Sequence, residues 1–332
     1  MKLIIKIVGW ILAVLLLLYG GAYTFNNLYL KNRPPALTTT AHTNGLVWVP
    51  FRWAAGNNSD REALYIPVTV DTISNKFYLQ FDIGILRTKI TSLNQGFPYL
   101  KKYVNDGKYK GLPVYLGNHE RYSFDERSSI DYKLSKPSDF RAKDTSAIIK
   151  IGDAGYDYIK GRIFVCDFKN ARYALTNQLP REAEQRVTWI QSPNVRANRW
   201  PVHIPLKING QERVFFYDNG SSMFTMFVTK RFWDDITDNG NQSVRPGKRD
   251  SLSLSSWGEY FWYVRAMPAQ KITSMSGEDL SNKKVFYGTR MNPVLHELWN
   301  HFEGIDGLMG NEYFRDKVLV IDAKANRIGL YN

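Results

Sequence analysis

The sequence has little cysteine, little histidine and no motif typical of a metal or nucleotide site. Cys166 is the only cysteine, so no internal disulfide can form, and its place in the apolar run Ile163-Phe164-Val165-Cys166 predicts a small buried side chain. The 332 residues include five histidines, and they contain no Cys/His cluster, phosphate loop or dinucleotide fingerprint. We therefore expect neither a metal nor a cofactor.

The chain also lacks a dense tract of one charge. Its formal net charge is +13 and its pI is about 9.5, but lysine and arginine are scattered among the acidic residues. A scattered excess of this kind is typical of a solvated basic surface, and there is no nucleic-acid-binding motif. We expect no nucleic acid partner.

One segment superficially matches a zinc-peptidase helix. His296 and His301 flank Glu297, but five residues on a helix separate the two rings by more than about a quarter turn, which excludes a shared metal. Leu295, Leu298 and Phe302 instead predict an amphipathic helix whose apolar face packs on the domain.

The N-terminal segment carries Lys2 and Lys6 and then an uncharged run over residues 7–25, which is long enough as a helix to cross a bilayer. We predict a membrane anchor or signal segment over residues 1–26 and a stalk over 27–45. The small residues Gly20-Gly21-Ala22 leave open a cleaved, secreted form. The long remainder is expected on the extracytoplasmic side, either periplasmic or external.

The remainder of the chain contains an internal repeat. Residues 152–175 align with residues 307–330 without a gap. The matched residues are Gly152, Gly155, Tyr158, Asp167, Lys169, Arg172 and Leu175 with Gly307, Gly310, Tyr313, Asp322, Lys324, Arg327 and Leu330. Two copies of one structural unit explain this pattern. The paired Asp and Arg residues predict turn caps or ion pairs at the ends of equivalent strands.

A matching hairpin precedes each copy, and each hairpin ends in Asp-X-Gly. The first reads Phe81-Asp82-Ile83-Gly84, and the second passes through the Asn209-Gly210 turn to Tyr217-Asp218-Asn219-Gly220-Ser221-Ser222. A single Asp-X-Gly usually marks a turn. Its duplication at equivalent positions instead predicts two carboxylates that meet in one cleft.

This order of motifs resembles the aspartic peptidase superfamily, pepsin-like and retropepsin-like, in its two-lobed single-chain form. The residues that carry the resemblance are the two Asp-X-Gly segments, Leu308-Met309-Gly310 and, less closely, Asp153-Ala154-Gly155. The resemblance implies a mainly β fold of two related β-barrel-like lobes. We assign the first lobe to residues 46–180, a connector to 181–200 and the second lobe to 201–332.

The resemblance implies that Asp82 and Asp218 form a catalytic dyad, with Gly84, Gly220 and Ser221 as supporting residues. The family places Thr or Ser after each Asp, where this chain has Ile83 and Asn219. Ile83 has no hydrogen-bonding side chain, and Asn219 can bridge the loops only with altered geometry. Because apolar residues flank Asp82, we expect it to be the protonated partner and Asp218 the ionised one.

Trp257 and Gly258 are candidates for a cap over the cleft, although an ordinary hairpin turn explains them as well. Two functions remain open. The first is a membrane-anchored aspartic endopeptidase that hydrolyses extended peptide. The second is a catalytically inactive relative that binds peptide or protein in the cell envelope. The retained Asp and Gly residues favour the enzyme, whereas Ile83 and Asn219 favour the binding module.

Overall fold

The structure is a computed structural model, and it describes residues 2–25, 37–38, 45–54, 59–90, 100–106, 108–109, 111–117, 120–124, 149–193, 202–241, 250–254, 259–288 and 292–331. Residues Met1–Pro35 and Ala36–Asn332 form two separate units. In the first unit, residues Lys2–Phe25 form helix α1. Among the described residues, no helix is both long and apolar enough to span a membrane, so the predicted membrane span is not supported.

The second unit is mainly β, which confirms the predicted class. Its described helices are α2 (Arg181–Gln185), α3 (Lys230–Asn241) and α4 (Pro293–Glu303). Its described strands, in chain order, are β1 (Leu37–Thr38), β2 (Val49–Pro50), β3 (Arg52–Ala54), β4 (Ala63–Val70), β5 (Ile73–Phe81), β6 (Lys89–Ile90), β7 (Val104–Asn105), β8 (Lys108–Tyr109), β9 (Leu112–Leu116), β10 (Glu120–Phe124), β11 (Ile149–Ala154), β12 (Ile163–Asp167), β13 (Arg172–Thr176), β14 (Val187–Gln191), β15 (His203–Ile208), β16 (Gln211–Tyr217), β17 (Met226–Val228), β18 (Asp250–Leu254), β19 (Glu259–Ala266), β20 (Ile272–Ser274), β21 (Val285–Gly288), β22 (Gly307–Met309), β23 (Val318–Asp322) and β24 (Arg327–Tyr331).

Three large sheets contain most of these strands. The first sheet has the order β1-β10-β9-β4-β5-β11-β6, with β3 also paired to β4. The second sheet has the order β18-β19-β21-β17-β22-β16-β15-β20, and the shared sheet has the order β14-β24-β23-β12-β13-β2. The shared sheet therefore joins strands from both copies of the repeat.

The first and second sheets share one local topology around their Asp-X-Gly segments. In the first sheet, β5 pairs in parallel with β11, which pairs antiparallel with β6. In the second sheet, β16 pairs in parallel with β22, which pairs antiparallel with β17. The hairpins β4-β5 and β15-β16 also correspond. The sequence repeat therefore extends to the upstream strands. The lobe and connector boundaries given above stay predictions.

The shared sheet buries the repeat itself. Strands β12 and β23 pair antiparallel at its centre, where Val165 faces Val320. Their exposed fractions are 1% and 0%, and full burial of such a side chain contributes roughly 1.5–3 kcal/mol to folding. Cys166 is a buried free thiol, as predicted, and burial raises its pKa.

The repeated Asp and Arg residues form ion pairs, as the sequence predicted. Arg172 Nε donates to Asp167 Oδ2 and Arg327 Nε donates to Asp322 Oδ2, both at 2.9 Å. Asp167 also accepts one backbone N–H of the following turn, and Asp322 accepts two. The hairpin turn between β15 and β16 is formed as expected, because Asn209 and Gly210 both adopt positive φ, at 49° and 80°.

The prediction for helix α4 is wrong in its orientation. Leu295, Leu298 and Phe302 are 65%, 45% and 49% exposed, whereas Asn300 and Glu303 are buried at 7% each. A 3.6-residue period specifies that a helix has two unlike faces. It does not specify which face the tertiary structure turns inward.

Candidate active site

Asp82 and Asp218 follow the ends of equivalent strands, and the neighbouring strand holds each in the same way. The backbone N–H of Asp82 donates to Ala154 O and that of Asp218 donates to Met309 O, both at 2.9 Å. In each loop, the residue three positions later closes a turn onto the aspartate carbonyl at 3.2 Å. The two aspartates are thus positioned by backbone contacts that the repeat duplicates.

Gly155 and Gly310 directly follow strands β11 and β22, and each lets the chain pass close behind an aspartate loop. A Cβ at Gly310 would lie 2.0 Å from Ser221 O, and a Cβ at Gly155 would lie 2.9 Å from Ile85 O. Both distances are shorter than a carbon and an oxygen tolerate. This steric requirement explains why the apolar-apolar-Gly pattern accompanies each Asp-X-Gly.

The two aspartate loops pack directly against each other. A Cβ at Gly84 would lie 2.7 Å from Asp218 Oδ1, and a Cβ at Gly220 would lie 2.5 Å from Asp82 Cγ. Each glycine therefore contacts the carboxyl group of the opposite loop, and only glycine leaves room for it. The N–H groups of Gly84 and Gly220 also donate to the carboxylate of their own loop at 2.9 Å.

This packing brings the carboxyl groups of Asp82 and Asp218 together, because a Cβ at Gly84 would lie 2.7 Å from Asp218 Oδ1 and 2.9 Å from Asp82 Oδ1. Loss of hydration raises the pKa of Asp82 well above its ordinary value, and the charges of Asp218 and Asp153 raise it further. Burial also raises the pKa of Asp218, but hydrogen bonds from Ser221, Asp82 and Gly220 act in the opposite direction. One proton is therefore held between the two groups, and Asp82 is its favoured carrier, in the direction that the flanking residues predicted.

Asn219 joins the two loops through its side chain. Its Oδ1 accepts the backbone N–H of Ile83 at 2.7 Å, and its side chain is buried. The amide thus provides a bridge between the loops without the hydroxyl of the family pattern. Ile83 itself is fully buried and contributes its backbone N–H to this bridge and its side chain to the apolar core.

Asp218 has a side-chain hydroxyl partner, Ser221, that Asp82 lacks. Its hydroxyl donates to Asp218 Oδ2 at 2.8 Å. The equivalent position beside Asp82 is Ile85, which has no hydrogen-bonding group. The hydroxyl stabilises the ionised form of Asp218, so the two carboxyl groups differ in their preference for the proton.

Asn311 supports the second loop, and the sequence reasoning did not identify it. Its Nδ2 donates to Ser222 Oγ at 2.7 Å and to Asn219 O at 3.2 Å, while its Oδ1 accepts the hydroxyl of Tyr217 at 2.5 Å. The one available signal was its position directly after Gly310 of the repeated motif. The cap candidates Trp257 and Gly258 lie outside the described residues.

The arrangement can hold a water between an ionised and a protonated carboxyl group, which is the requirement for acid and base catalysis at one position. Within the described ranges, no group of three or more His, Cys, Asp and Glu side chains is arranged to hold a metal ion.

Comparisons with known proteins found one kind of similarity. No model of a protein family matches the chain, and no curated protein matches it in sequence. Among solved structures, it is similar to an aspartic proteinase from Irpex lacteus at 12% identity, with a TM-score of 0.45. The match covers 86% of this chain and 97% of the Irpex lacteus chain. At this identity and TM-score, we argue function from the geometry of this chain alone.

Proposed function

We propose that this chain is an aspartic-type endopeptidase that hydrolyses extended peptides with Asp82 and Asp218. The observation that carries the proposal is the close approach of the two carboxyl groups, each packed on the glycine of the opposite loop. Such a pair holds one proton over the pH range between its two ionisations, because two adjacent charges cannot both form at low cost.

In the proposed reaction, ionised Asp218 removes a proton from water, and the water oxygen attacks the carbonyl carbon of the peptide bond. Protonated Asp82 donates its proton to the carbonyl oxygen, which gives a neutral tetrahedral diol. The diol returns a proton to the dyad while the amide nitrogen accepts one, and the C–N bond breaks to release acid and amine. Ser221 and the N–H of Gly220 keep Asp218 ionised for the first step.

The alternative is a peptide-binding module without catalysis. The observation that favours it is Ile85, which leaves Asp82 without the hydroxyl contact that Ser221 gives Asp218. The bridge from Asn219 to the Ile83 N–H supports the enzyme instead, because it fixes the relative position of the two loops. Catalysis requires this fixed geometry, whereas peptide binding does not.

The experiment incubates the full chain with a diverse peptide mixture from acidic to neutral pH and identifies the products by mass spectrometry. Asp82→Asn and Asp218→Asn are compared with Asp60→Asn, a control at a carboxylate whose side chain is 66% exposed. We expect cleavage by the wild type and the control, inhibition by a statine-type mimic, and loss of cleavage in both dyad variants. A folded wild type that binds peptide without cleaving it would establish the binding module.

We also propose that the protein acts outside the cytoplasm. This proposal rests on the N-terminal sequence alone. Fractionation of cells that express the full chain tests it. Recovery of the full-length protein in the cytoplasmic fraction would contradict it.

A further inference from the structure

A polar cluster lies on the same face of the first sheet as Asp82. Gln80 lies on β5, and Asp82 directly follows this strand and continues its pairing with β11 through Ala154 O, so the two side chains point to the same face. Asp153 lies beside Gln80 in the parallel register of β5 and β11. Lys150 Nζ donates to Gln80 Oε1 at 2.7 Å and to Asp153 Oδ1 at 2.8 Å. These three side chains form one hydrogen-bonded group beside the dyad.

An irregularity in β11 makes this cluster possible. Lys150 and Asp153 are three residues apart, so a regular strand would direct them to opposite faces. The register shifts between Lys150 and Gly152, and Ile151 at the shift is fully buried. The extra residue turns Lys150 onto the face of Asp153 and Gln80.

The second sheet has apolar residues at all three equivalent positions. Phe216 precedes Asp218 by two residues and lies beside Leu308 in the parallel register of β16 and β22. Ile305 precedes Gly307 by two residues, as Lys150 precedes Gly152. The repeat therefore provides an internal comparison: at these three strand positions the second sheet has apolar side chains, whereas the first sheet has charged and amide side chains.

The two charged side chains of the cluster are partly exposed. The exposed fractions of the Lys150 and Asp153 side chains are 15% and 25%, whereas Gln80 is buried. Burial opposes the charge on Lys150, but Asp153 and Tyr65 outweigh this effect and raise the pKa of its ammonium group. The negative charge of Asp153 also acts on Asp82. An ion pair of this kind is stabilised by water or by a hydrogen-bonding ligand.

We propose that Gln80, Lys150 and Asp153 receive the substrate side chain on one side of the scissile bond and select asparagine or glutamine there. The proposal rests on the proposed function and names its substrate preference. On the other side of the bond, Phe216 and Leu308 receive an apolar side chain. The dyad thus lies between one polar and one apolar contact surface.

The chemistry of the cluster favours an amide side chain. A primary amide donates through its nitrogen to Asp153 and accepts through its oxygen from Lys150, whose third N–H has no described partner in the cluster. A carboxylate would face Asp153 and an ammonium would face Lys150, with like charges together. An apolar side chain would displace water from the ion pair and return no hydrogen bond.

The test measures binding by calorimetry to the full chain, with peptide mimics that contain a statine-type core. Two pairs of mimics are compared, and the two members of a pair differ only in having Gln or Leu at one position. This position directly precedes the statine-type core in the first pair and directly follows it in the second pair. We expect the Gln mimic to bind about tenfold more tightly in one pair and the Leu mimic to bind more tightly in the other. The double variant Lys150→Met/Asp153→Leu should lose the preference for Gln.

The matched control is Lys102→Met, because Lys102 forms a similar ion pair with Asp71 but its side chain is 61% exposed. It should keep the preference. Asp153→Asn keeps the size of the side chain and should reduce the preference if the double variant fails to fold. Tighter binding of Leu in both pairs, an unchanged preference in the double variant, or no binding of any mimic would overturn the inference. Selective binding without peptide cleavage would refute the proposed function and support the selectivity.

Discussion

Replacement of Asn219 by alanine tests how the two aspartate loops are held together. The variant removes the acceptor of the Ile83 N–H, which lies 2.7 Å from Oδ1 inside the protein. The backbone oxygen of residue 219 still accepts from Asn311, so only the bridge between the loops is lost. A buried N–H without an acceptor costs about 1–3 kcal/mol. We expect the free energy of unfolding to fall by this amount.

The measurement is denaturant unfolding of the full chain, with Asn105→Ala as an exposed control that should change stability by less than about 0.5 kcal/mol. A second measurement separates positioning from stability. Under conditions where the variant is folded, kcat for peptide cleavage should fall by about 10- to 100-fold with a smaller change in KM, because the loops set the distance between the carboxyl groups. An unfolding midpoint equal to that of the wild type would refute the reasoning.

Four further outcomes follow from the contacts of the site and the repeat. Gly84→Ala should lower cleavage by at least about 100-fold, because its Cβ would lie 2.7 Å from a carboxylate oxygen of Asp218; kinetics on a folded variant measures this. Asp82 holds its proton more tightly in the folded state than in the unfolded chain, so its contribution to stability is present below its ordinary pKa of 3.8 and is lost as the pH rises through the raised value. Asp82→Asn should therefore raise the Tm more at about pH 7 than at about pH 3. Ser221→Ala removes a hydrogen bond that lowers the pKa of Asp218, so this pKa should rise and the acidic limb of the pH–rate profile should move to higher pH. Asp322→Ala should lower stability by about 3 kcal/mol in denaturant unfolding, because it leaves the Arg327 Nε–H and two turn N–H groups without their acceptor.

Each of these outcomes has a contrary result. Full activity in Gly84→Ala would mean that the loops do not meet at this glycine. A Tm difference for Asp82→Asn that is larger at low pH would reverse the sign of the proton linkage. An unshifted acidic limb in Ser221→Ala would mean that the Ser221 hydroxyl does not affect the pKa of Asp218. Unchanged stability in Asp322→Ala would mean that the Asp322–Arg327 pair does not stabilise the fold.

The sequence was sufficient for features that depend on local pattern or on duplication. Asn209-Gly210 predicted its hairpin, because few other residue pairs adopt two positive φ angles. The repeated Asp167 and Asp322 predicted their arginine partners, since strand pairing places them opposite each other. The duplicated Asp-X-Gly likewise brought Asp82 and Asp218 into consideration as a pair, and the structure places their carboxyl groups side by side at Gly84.

Other features depended on contacts between distant parts of the chain. The bridge from Asn219 to Ile83 joins residues 136 positions apart, and the sequence showed only that the family hydroxyl is missing. The orientation of helix α4 depends on which face meets the domain, so its period predicted two faces but not the buried one.

The sequence by itself determined the repeat, the strand pattern and the two candidate carboxylates, because these features depend only on the order of residue types along the chain. The tertiary structure alone decided which side chains surround each carboxylate. A shift of register in β11 brings Lys150 and Asp153 together beside Asp82, whereas the equivalent strand positions near Asp218 hold the apolar residues Phe216 and Leu308. Hydrogen bonding and hydration depend on distances in space, and for that reason the difference between the two carboxyl groups emerges only in the folded chain.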